Sequence, residues 1–470
     1  MLLHSSHKAF FRSPAGPAPA GSRVTIRFLS DESEAVILRA WNGTESNHVM
    51  DFDGHNLFST NIEIPQDASW VWYDFIVYQR DGRMLRYGNA YDKLGGEGAV
   101  YETGEVAAFQ ITVYQPAFKT PGFMQGANIY QIFPDRFFRA PTKAVDDRDD
   151  RFVHAAWNEE MLDEDDKRGG EYREREFYGG TLNGIRKKLP YLQKLGITVL
   201  YLNPVFKARS YHRYDTSDYL SIDPLLGTQE DFEALCAEAE KHGLRVMLDG
   251  VFSHTGDDSL YFNRYGHFDT VGAYQSEKSP YYAWYSFKEW PDSYRCWWNI
   301  ATLPEIDKAN EAYRRFMFDR KRGVVPHWID AGSAGWRLDV ADELSMDFLR
   351  KLRLSAKRAK RDAVVLGEVW EDASCKEAYG ELRNYCAGDT LDSVMNYPLR
   401  TALLDFASRK STAKELARLI NHQAEVYPAQ FRYALMNLVG SHDRARALNF
   451  LVGRDGEELT KHEQLALRLT

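Results

Sequence analysis

Two different rhythms of apolar and polar residues divide the chain. Between residues 21 and 118, short β-rich runs such as SRVTIRF, AVILRAW and WVWYDFIVYQ are bounded by turn residues. The Asp81-Gly82 pair tolerates the positive φ of a tight hairpin. We therefore predict a small antiparallel β-sandwich over 21–118. Residues 1–20 end in PAGPAPAG and are expected to form a leader.

After residue 126, short apolar runs alternate with segments of helical periodicity. Repeated strand-then-helix units predict parallel strands joined by crossover helices. A doubly wound open sheet and a barrel both begin this way, and periodicity alone leaves the choice open. The segment 116–123 is the expected linker. Seven runs are candidate strands: ANIYQIFP, ITVLYLNP, LRVMLDGVF, AGWRLDV, AVVLGEV, TLDSVMN and ALMNLVGS.

Two segments interrupt this alternation. Residues 140–177 are dense in charge, which is typical of a solvated loop. Residues 255–312 lie between the third strand and its helix, and a long insert of this kind is usually functional or a small subdomain. Its aromatic residues fit either a subdomain core or sugar-binding platforms: Tyr281, Tyr282, Trp284, Tyr285, Trp290, Trp297 and Trp298.

Composition narrows the class of partner. Lys plus Arg number 59 and Asp plus Glu 68, and the net charge of −9 disfavours nucleic acid and anionic membranes. The four cysteines lack metal-type spacing, which is typical of reduced thiols in a cytosolic protein. The N-terminal residues lack an apolar signal-peptide region, and no stretch is apolar enough to span a membrane. We therefore expect a cytoplasmic protein with a neutral substrate.

Chemically capable residues cluster at the ends of the predicted strands. In a barrel the carboxyl ends of the strands meet on one rim, where active sites form. A single aspartate there usually caps a helix or a turn, but several on one rim are hard to explain as caps. No glycine-rich phosphate loop follows a strand, which disfavours a nucleotide enzyme. The candidates, in chain order, are Asp249, His254, Arg337, Asp339, Glu368, His442 and Asp443.

The segments LDGVFSH, GWRLDV, LGEVW and GSHD resemble the four signature regions of the α-amylase family (glycoside hydrolase family 13) in the family's order. QIFPDRF, HRYDTSDY and TLPEID are similar to segments of its neopullulanase, cyclomaltodextrinase and maltogenic amylase branch. The match runs from about residue 126 onward, and an N-terminal sandwich is typical of that branch. The resemblance implies an α/β fold, a (β/α)8 TIM barrel over 126–470 with subdomain B inserted at 255–312.

The resemblance also implies roles for three carboxylates in a retaining glycoside hydrolase. Asp339 would be the nucleophile, Glu368 the acid/base and Asp443 the stabilising third carboxylate. Arg337 stands two residues before Asp339, on the same face of a strand, and should keep it ionised. Glu368 must hold a proton near neutrality, which requires a less polar environment.

Five further residues are implied around the substrate. His254 and His442 would bind sugar hydroxyls, and Tyr214 would stack under the sugar being cleaved, with a core tyrosine as its alternative. Asp249 would support the arginine rather than touch substrate. Trp370 would line the leaving-group side, which we leave open.

Calcium is the one cofactor that the resemblance raises. Branch members hold it with an Asn-Gly segment after DRF and an aspartate after GG, where this chain has FFRAPT and YGGTL, with Thr181 in place of the aspartate. Asp146, Asp147 and Asp149 could supply the several oxygen ligands that calcium needs. We nevertheless expect no metal and no other cofactor.

The expected substrate is an α-glucan, cleaved at α-1,4 and, as an open alternative, α-1,6 bonds. Cyclodextrins, pullulan, starch and maltooligosaccharides all remain open. Two alternatives keep the fold: a transglycosylase or isomerase using the same covalent intermediate, and a non-catalytic binding subunit, which would typically lack the carboxylates. The resemblance also implies a homodimer through the N-terminal sandwich.

The last part of the sequence predicts an incomplete barrel. Eight strands are needed, the seventh ends near Ser441, and EELTKHEQLALRLT has the spacing of its following helix. We therefore expect a chain truncated before strand eight, with residues 128–133 and 434–440 on opposite sides of an open gap. Such a protein, ending at Thr470, should be poorly soluble and nearly inactive.

Overall fold

The computed structural model describes residues 1–146, 148–162 and 173–452, which form two compact units. Unit 1 comprises Met1–Thr120 and the described residues from Val369 onward, and unit 2 is Pro121–Glu368. The helix predicted for EELTKHEQLALRLT lies outside the described residues. The predicted gap involves residues of both units and stays a prediction.

The first part of unit 1 consists of β-strands in two sheets. The strands are β1 (Leu2–Leu3), β2 (Arg12–Ser13), β3 (Ala18–Pro19), β4 (Arg23–Ser30), β5 (Ser33–Asn42), β6 (Thr44–Val49), β7 (Asp51–Gly54), β8 (Leu57–Glu63), β9 (Trp70–Gln79), β10 (Met84–Gly88), β11 (Ala99–Tyr101) and β12 (Phe109–Tyr114). The first sheet has the strand order β1-β4-β8-β7, and β2 also pairs with β4. The second sheet has the order β11-β10-β9-β12-β3, and β5 pairs with both β9 and β6. Nearly all pairs are antiparallel, as predicted.

Alternation of buried and exposed residues explains this packing. In β4, Val24, Ile26 and Phe28 are buried, while the residues between them are not, as expected for a strand with one face on a core. The same period of two runs through β5 and β9. The two inner faces form one apolar core.

The first 20 residues are integrated into these sheets, unlike the leader expected from their composition. His4 is fully buried; its Nδ1 donates to the carbonyl of Arg27 at 2.7 Å, and its Nε2 accepts from Tyr73 Oη at 3.0 Å. Burial lowers the pKa of His4 to about 3, so the ring is neutral. Arg12, also buried, donates to the carbonyl of Gln110.

Unit 2 contains the repeated strand-and-helix pattern. Five parallel strands run in the order β13-β16-β19-β22-β23, which confirms the predicted parallel units within these residues. Its elements are β13 (Ile129–Ile132), β14 (Phe152–Val153), β15 (Glu176–Phe177), α1 (Leu182–Lys187), α2 (Leu189–Lys194), β16 (Val199–Leu202), β17 (Phe206–Ala208), β18 (Thr216–Ile222), α3 (Gln229–Lys241), β19 (Arg245–Gly250), β20 (Phe287–Glu289), β21 (Ser293–Tyr294), α4 (Glu311–Phe318), α5 (Val324–Asp330), β22 (Gly335–Leu338), α6 (Met346–Ala359) and β23 (Val364–Gly367).

The remainder of unit 1 is mainly helical. The sixth and seventh predicted strands are short here: the sixth spans two residues, and the seventh contributes a parallel bridge between Met395 and Met436. None of the described helices combines the length and apolar character that a bilayer span requires. The elements are β24 (Lys376–Ala378), β25 (Glu381–Arg383), β26 (Ser393–Val394), α7 (Tyr397–Ala407), α8 (Ala413–Val426), α9 (Ala429–Arg432) and α10 (Ala447–Val452).

The insert at 255–312 has its own aromatic core. Trp284 is buried and stacks on Tyr261 with ring centroids 5.3 Å apart, and Tyr285 is buried nearby. Trp290 and Trp298 are exposed. Some aromatic residues of the insert therefore form the subdomain core, and others face solvent.

The charged segment 140–177 is not simply a solvated loop. Arg151 is nearly buried and forms an ion pair with the fully buried Asp223 at 2.9 Å. The same guanidinium reaches Asp146 at 3.1 Å and the carbonyl of Ala208. Its planar set of donors holds together three separate stretches of unit 2.

We predict that Arg151→Met strongly destabilises the protein. The substitution leaves the Asp223 carboxylate buried with less compensation, a change that typically costs about 3–5 kcal/mol. Thermal unfolding should show a midpoint several degrees lower. As a matched control, Arg23→Met removes an exposed pair with Glu63 and should cost about 0–1 kcal/mol. Equal effects of the two substitutions would contradict the structural role of Arg151.

Candidate active site

A single arginine connects three carboxylates in unit 2. Arg337 is fully buried, and its Nη1 donates to Asp249 at 2.8 and 3.1 Å and to Asp339 at 2.9 Å. Its Nη2 forms an ion pair with Glu368 at 2.6 Å. Glu368 is only 3% exposed and Asp339 8%. One guanidinium thus faces three carboxyl groups in a site largely removed from solvent.

The register of the parallel strands brings these groups together. Asp249 in β19 lies directly beside Arg337 in β22. Asp339 follows the last residue of β22, and Glu368 follows the last residue of β23, with Leu338 and Gly367 paired across the two strands. Because the carboxyl ends of parallel strands share one edge, adjacent strands deliver their next residues to the same place.

Two tyrosines complete the surroundings of Asp249. Its Oδ2 accepts from Tyr201 Oη at 2.5 Å and from Tyr214 Oη at 3.0 Å. Tyr214 Oη accepts in turn from Asn203 at 3.1 Å, and the ring of Tyr214 is half-buried. The Asp249 carboxylate is therefore fully occupied in holding Arg337 and the tyrosines, which suits a supporting group.

Tyr201 and Asn203 were not among the residues singled out from the sequence. Tyr201 lies in β16, a strand whose residues are all buried, and Asn203 directly follows that strand. A polar group within or directly after such a buried strand needs a partner. The pattern of Tyr201 and Asn203, two residues apart in YLNP, is the signal that could have identified them.

The electrostatics differ from the expectation for Asp339. Burial, together with the negative charges of Glu368 and Asp249, raises its pKa well above the usual range, although Arg337 acts in the opposite direction. Because one guanidinium is shared among three carboxylates, its lowering effect on the pKa of Asp339 is smaller than the combined raising effect of burial and the neighbouring charges. Glu368 likewise lacks the apolar surroundings expected for it, since Arg337 and a backbone amide both contact its carboxylate.

That amide belongs to a strained residue. Val340 has φ 36° and ψ 74°, in the left-handed region that β-branched residues rarely adopt. Its N–H donates to Glu368 Oε2 at 2.9 Å, and the next amide, of Ala341, donates to the Glu368 carbonyl at 3.0 Å. The strained residue directly follows Asp339, and its N–H holds the Glu368 carboxylate in position. Nothing in the sequence signals it, because valine does not favour this conformation.

His254 adds a neutral hydrogen-bonding group. Burial lowers its pKa to about 3. Nε2 donates to the carbonyl of Tyr214 at 3.0 Å, which leaves Nδ1 as an acceptor, and this buried atom has no partner among the described residues. The ring lies 5.0 Å from that of Trp297. A substrate hydroxyl is the kind of group that such an acceptor would bind.

Two stacked tryptophans lie beside His254. Trp297 and Trp298 are nearly parallel, with centroids 4.3 Å apart, and Trp298 is 64% exposed. Trp298 Nε1 donates to Glu343 Oε1 at 3.1 Å, and its φ of 47° is again left-handed. A large indole held in solvent by strained backbone and a hydrogen bond is a candidate binding surface.

The remaining candidates belong to unit 1. His442 and Asp443 are exposed, and His442 Nε2 lies 3.2 Å from Asp443 Oδ1. Trp370 stacks on Tyr397 at 4.0 Å, and the Arg444 guanidinium lies 4.5 Å from its ring. The structure therefore gathers six of the candidates in unit 2, and the roles of all nine stay predictions. The six are Tyr214, Asp249, His254, Arg337, Asp339 and Glu368.

Comparison with known proteins places this cluster in a family. The model of the family described as alpha amylase, catalytic domain, matches residues 131–470. The chain belongs to the alpha-amylase family. Amylopullulanase of Thermoanaerobacterium saccharolyticum is 35% identical over 100% of this chain and 40% of that protein. Neopullulanase 2 of Thermoactinomyces vulgaris is 32% identical over 82% of this chain and 61% of its own length.

A solved structure of the family agrees with the fold. The type III pullulan hydrolase from Thermococcus kodakarensis superposes with a TM-score of 0.65 at 26% identity, covering 100% of this chain and 78% of that one. The chain spans less than half the length of the amylopullulanase and about three fifths of that of neopullulanase 2. The family is a TIM-barrel one, and the five parallel strands of unit 2 agree with it.

The residues at the family's calcium position do not fit a metal ion. Thr181 caps helix α1, accepting from the amide of Gly184 at 3.0 Å. Arg139 directs its guanidinium at three backbone carbonyls there, those of His154 (2.7 Å), Ala155 (2.8 Å) and Tyr178 (2.6 Å). Carbonyl oxygens are ligands that calcium prefers, and here a side-chain cation takes them.

Of the three alternative aspartates, the structure describes Asp146 and Asp149. Asp146 is paired with Arg151 at 3.1 Å, and Asp149 is exposed. Asp147 lies outside the described residues. Within 1–146, 148–162 and 173–452, no three His, Cys, Asp or Glu residues are placed to hold a metal ion.

We predict that Asp339→Asn stabilises the folded protein. A carboxyl whose pKa is raised on folding stabilises the folded state below its unfolded pKa, and this contribution is lost as pH rises through the folded pKa. Asparagine removes the repulsion with Glu368 and Asp249. The thermal midpoint should rise by about 2–4 °C for each kcal/mol gained, more at pH 8 than at pH 5.

The control for this prediction is Asp51→Asn, an exposed aspartate on β7. It should leave the midpoint unchanged at both pH values. A lower midpoint for Asp339→Asn at pH 8 would show that attraction to Arg337 outweighs burial and repulsion.

Proposed function

We propose that the protein is a retaining hydrolase of α-glucans that works by double displacement. The observation that carries this proposal is the buried pair Asp339 and Glu368, delivered by adjacent strand ends and bridged by Arg337. Membership of the alpha-amylase family supports the same reaction class. The names of the relatives, amylopullulanase, neopullulanase and pullulan hydrolase, support substrates with α-1,4 and α-1,6 bonds.

The proposed reaction needs one proton on the carboxyl pair. Asp339 attacks the anomeric carbon while Glu368 protonates the departing glycosidic oxygen, giving a glycosyl ester on Asp339. Glu368 then takes a proton from water, which attacks the same carbon and releases Asp339. The raised pKa of Asp339 supports a cluster that retains a proton more readily than an isolated carboxyl, and the reactive form carries it on Glu368.

Binding groups surround this pair. Tyr214, fixed by its hydrogen bond to Asp249, offers a ring for stacking, and the free Nδ1 of His254 offers an acceptor for a hydroxyl. Asp443 and His442 are proposed, from the resemblance alone, as further substrate contacts. A stacking role for Trp370 is weakened, because Tyr397 and Arg444 already contact its ring.

The oligomeric state of the whole protein is also a proposal. A homodimer through the N-terminal sandwich would be tested by light scattering at micromolar concentration. The assignment of the carboxylates does not depend on this dimer.

We predict that substitutions of Glu368 and Asp339 affect turnover differently. Glu368→Gln should lower turnover of maltooligosaccharides about 10²–10⁴-fold, and a fluoride leaving group, which needs no protonation, should restore most of the first step. Asp339→Asn should lower turnover by several orders of magnitude with either substrate, because no nucleophile remains.

Trapping and a neighbouring control sharpen this test. A slow-turnover fluorinated glucoside should leave a covalent sugar on Asp339, located by mass spectrometry of peptides. Asp342→Asn, three residues further along the chain, should keep near-normal turnover. An adduct on any other residue, or equal fluoride rescue of both carboxylate variants, would overturn the assignment.

We also predict that the fold around Arg139 does not require calcium. Chelator or added calcium should leave the thermal midpoint unchanged, because the guanidinium already engages the available carbonyls. Arg139→Ala should lower the midpoint, and calcium should not restore it. Arg23→Ala, at an exposed arginine, serves as the control. A midpoint that falls on chelation of the unaltered protein would contradict the proposal.

A further inference from the structure

Unit 2 contains a second cavity, of about 380 Å³, that the proposed reaction does not use. Its walls come from three separate stretches of the chain: residues 148–150 of the charged segment, β17 with the residue after it, and residues 267–268 of the insert. Asp339, Glu368 and Arg337 are not among its described lining residues. The volume lies at the lower end of the range for small-molecule sites.

One carboxylate at this cavity is shared by three guanidinium groups. Asp150 lies 2.9 Å from Arg148 Nε, 3.1 Å from Arg209 Nε and 3.3 Å from Arg175 Nη1. Although burial acts to raise it, the hydrogen bonds and charges of Arg148 and Arg209 hold the pKa of Asp150 well below its usual range. A single negative charge cannot balance three positive ones.

The surrounding carboxylates do not restore the balance. Asp258 lies 3.0 Å from Arg148 and 2.9 Å from His267 Nδ1, and the next carboxyl group, Asp257, has its own arginine, Arg264, at 3.5 Å. In a chain of net charge −9, this cavity therefore has a local excess of positive charge before any proton on His267 is counted. Four cations, Arg148, Arg175, Lys207 and Arg209, meet three carboxylates, Asp149, Asp150 and Asp258.

Lys207 provides a cation without a carboxylate partner among the described residues. It stands in β17 between Phe206 and Ala208, which are both buried, so its side chain projects from the opposite face of the strand. Its ammonium lies 5.6 Å from the centre of the Phe268 ring. Within the described ranges the ammonium has no hydrogen-bond acceptor, so its three N–H donors remain available.

Arg209 adds further donors beside Lys207. It follows two residues later, on the same side of the extended chain. Its Nε is used by Asp150 and its guanidinium lies 5.3 Å from the Tyr265 ring, whereas neither Nη atom makes a hydrogen bond to a residue that the structure describes. The side chain is 31% exposed, so these donors are accessible. The two Nη atoms of one guanidinium suit bidentate binding of an oxyanion.

These observations favour an anionic ligand with several oxygen atoms. A cation would meet an existing positive excess, and a neutral ligand would leave that excess uncompensated. A phosphate monoester carries a charge of about −1.5 to −2 at pH 7 and three strong acceptor oxygens. We propose that this cavity binds a phosphate group, free or as the monoester of a small molecule, through Lys207 and Arg209.

The form of the phosphate follows from the other walls. The partly buried ring of Phe268 offers an apolar surface to the organic part of a monoester, which inorganic phosphate lacks. A long polyanion is disfavoured, because the protein as a whole is negatively charged. The proposal goes beyond the hydrolysis of α-glucans and does not depend on it, since binding can be measured without turnover.

Isothermal titration calorimetry with sodium phosphate and with glucose 6-phosphate, at an ionic strength held constant with sodium chloride, tests this proposal. The unaltered protein should bind at least one of them. Lys207→Gln, which breaks no described ion pair, should weaken that binding about tenfold or more, and Lys207→Arg should retain most of it. Lys241→Gln, at an exposed lysine that ends α3 in the same unit, should bind like the parent.

The two ligands also distinguish the source of the phosphate. Tighter binding of glucose 6-phosphate would identify a monoester, and equal or tighter binding of inorganic phosphate would identify the free anion. Heat signals no larger than those of sodium chloride with both ligands would overturn the proposal. Unchanged affinity in Lys207→Gln would also overturn it, as would equal losses in Lys207→Gln and Lys207→Arg, which would indicate a folding effect.

Discussion

The ion pairs of Arg337 are the interaction on which the rest of unit 2 depends. Three carboxylates from adjacent strand ends converge on one buried guanidinium. Removing such charges from water costs several kcal/mol each, and mutual attraction compensates only where the geometry is good. The parallel register supplies that geometry, because it places Asp249 beside Arg337 and brings Asp339 and Glu368 to one edge.

One guanidinium is too few to balance three carboxyl groups, and hydrogen bonds from other groups also stabilise them. Val340 is held in a left-handed conformation that directs its N–H at Glu368, and Tyr201 and Tyr214 donate to Asp249. These contacts stabilise carboxylates that repel one another. Strain and repulsion of this kind lower the stability of the folded protein, and they are common at functional sites.

The sequence predicted the parts of this site that depend on periodicity. Asp249, Arg337, Asp339 and Glu368 could be found because each stands at the end of an apolar run, and parallel strands bring such positions together. Val340 and the hydrogen bonds of Tyr201 could not, since they depend on backbone conformation and on neighbours far along the chain. The same limit explains the first 20 residues: their composition suggests a leader, but His4 and Arg12 become buried through partners beyond residue 20.

Arginine recurs at the places where the chain must join separate segments. Arg337 links three strands, Arg151 links Asp146, Asp223 and Ala208, and Arg139 links the carbonyls of residues 154, 155 and 178. Each case uses several donors of one planar guanidinium at once, which a lysine ammonium of the same charge could not match in direction. At Arg139 the donors meet carbonyls of the kind that bind a hard cation. The same side-chain chemistry thus joins a cluster of carboxylates in the candidate active site and separate backbone segments elsewhere. The partners make the difference: three carboxylates that share one guanidinium repel one another, whereas carbonyls and single carboxylates give a stable joint.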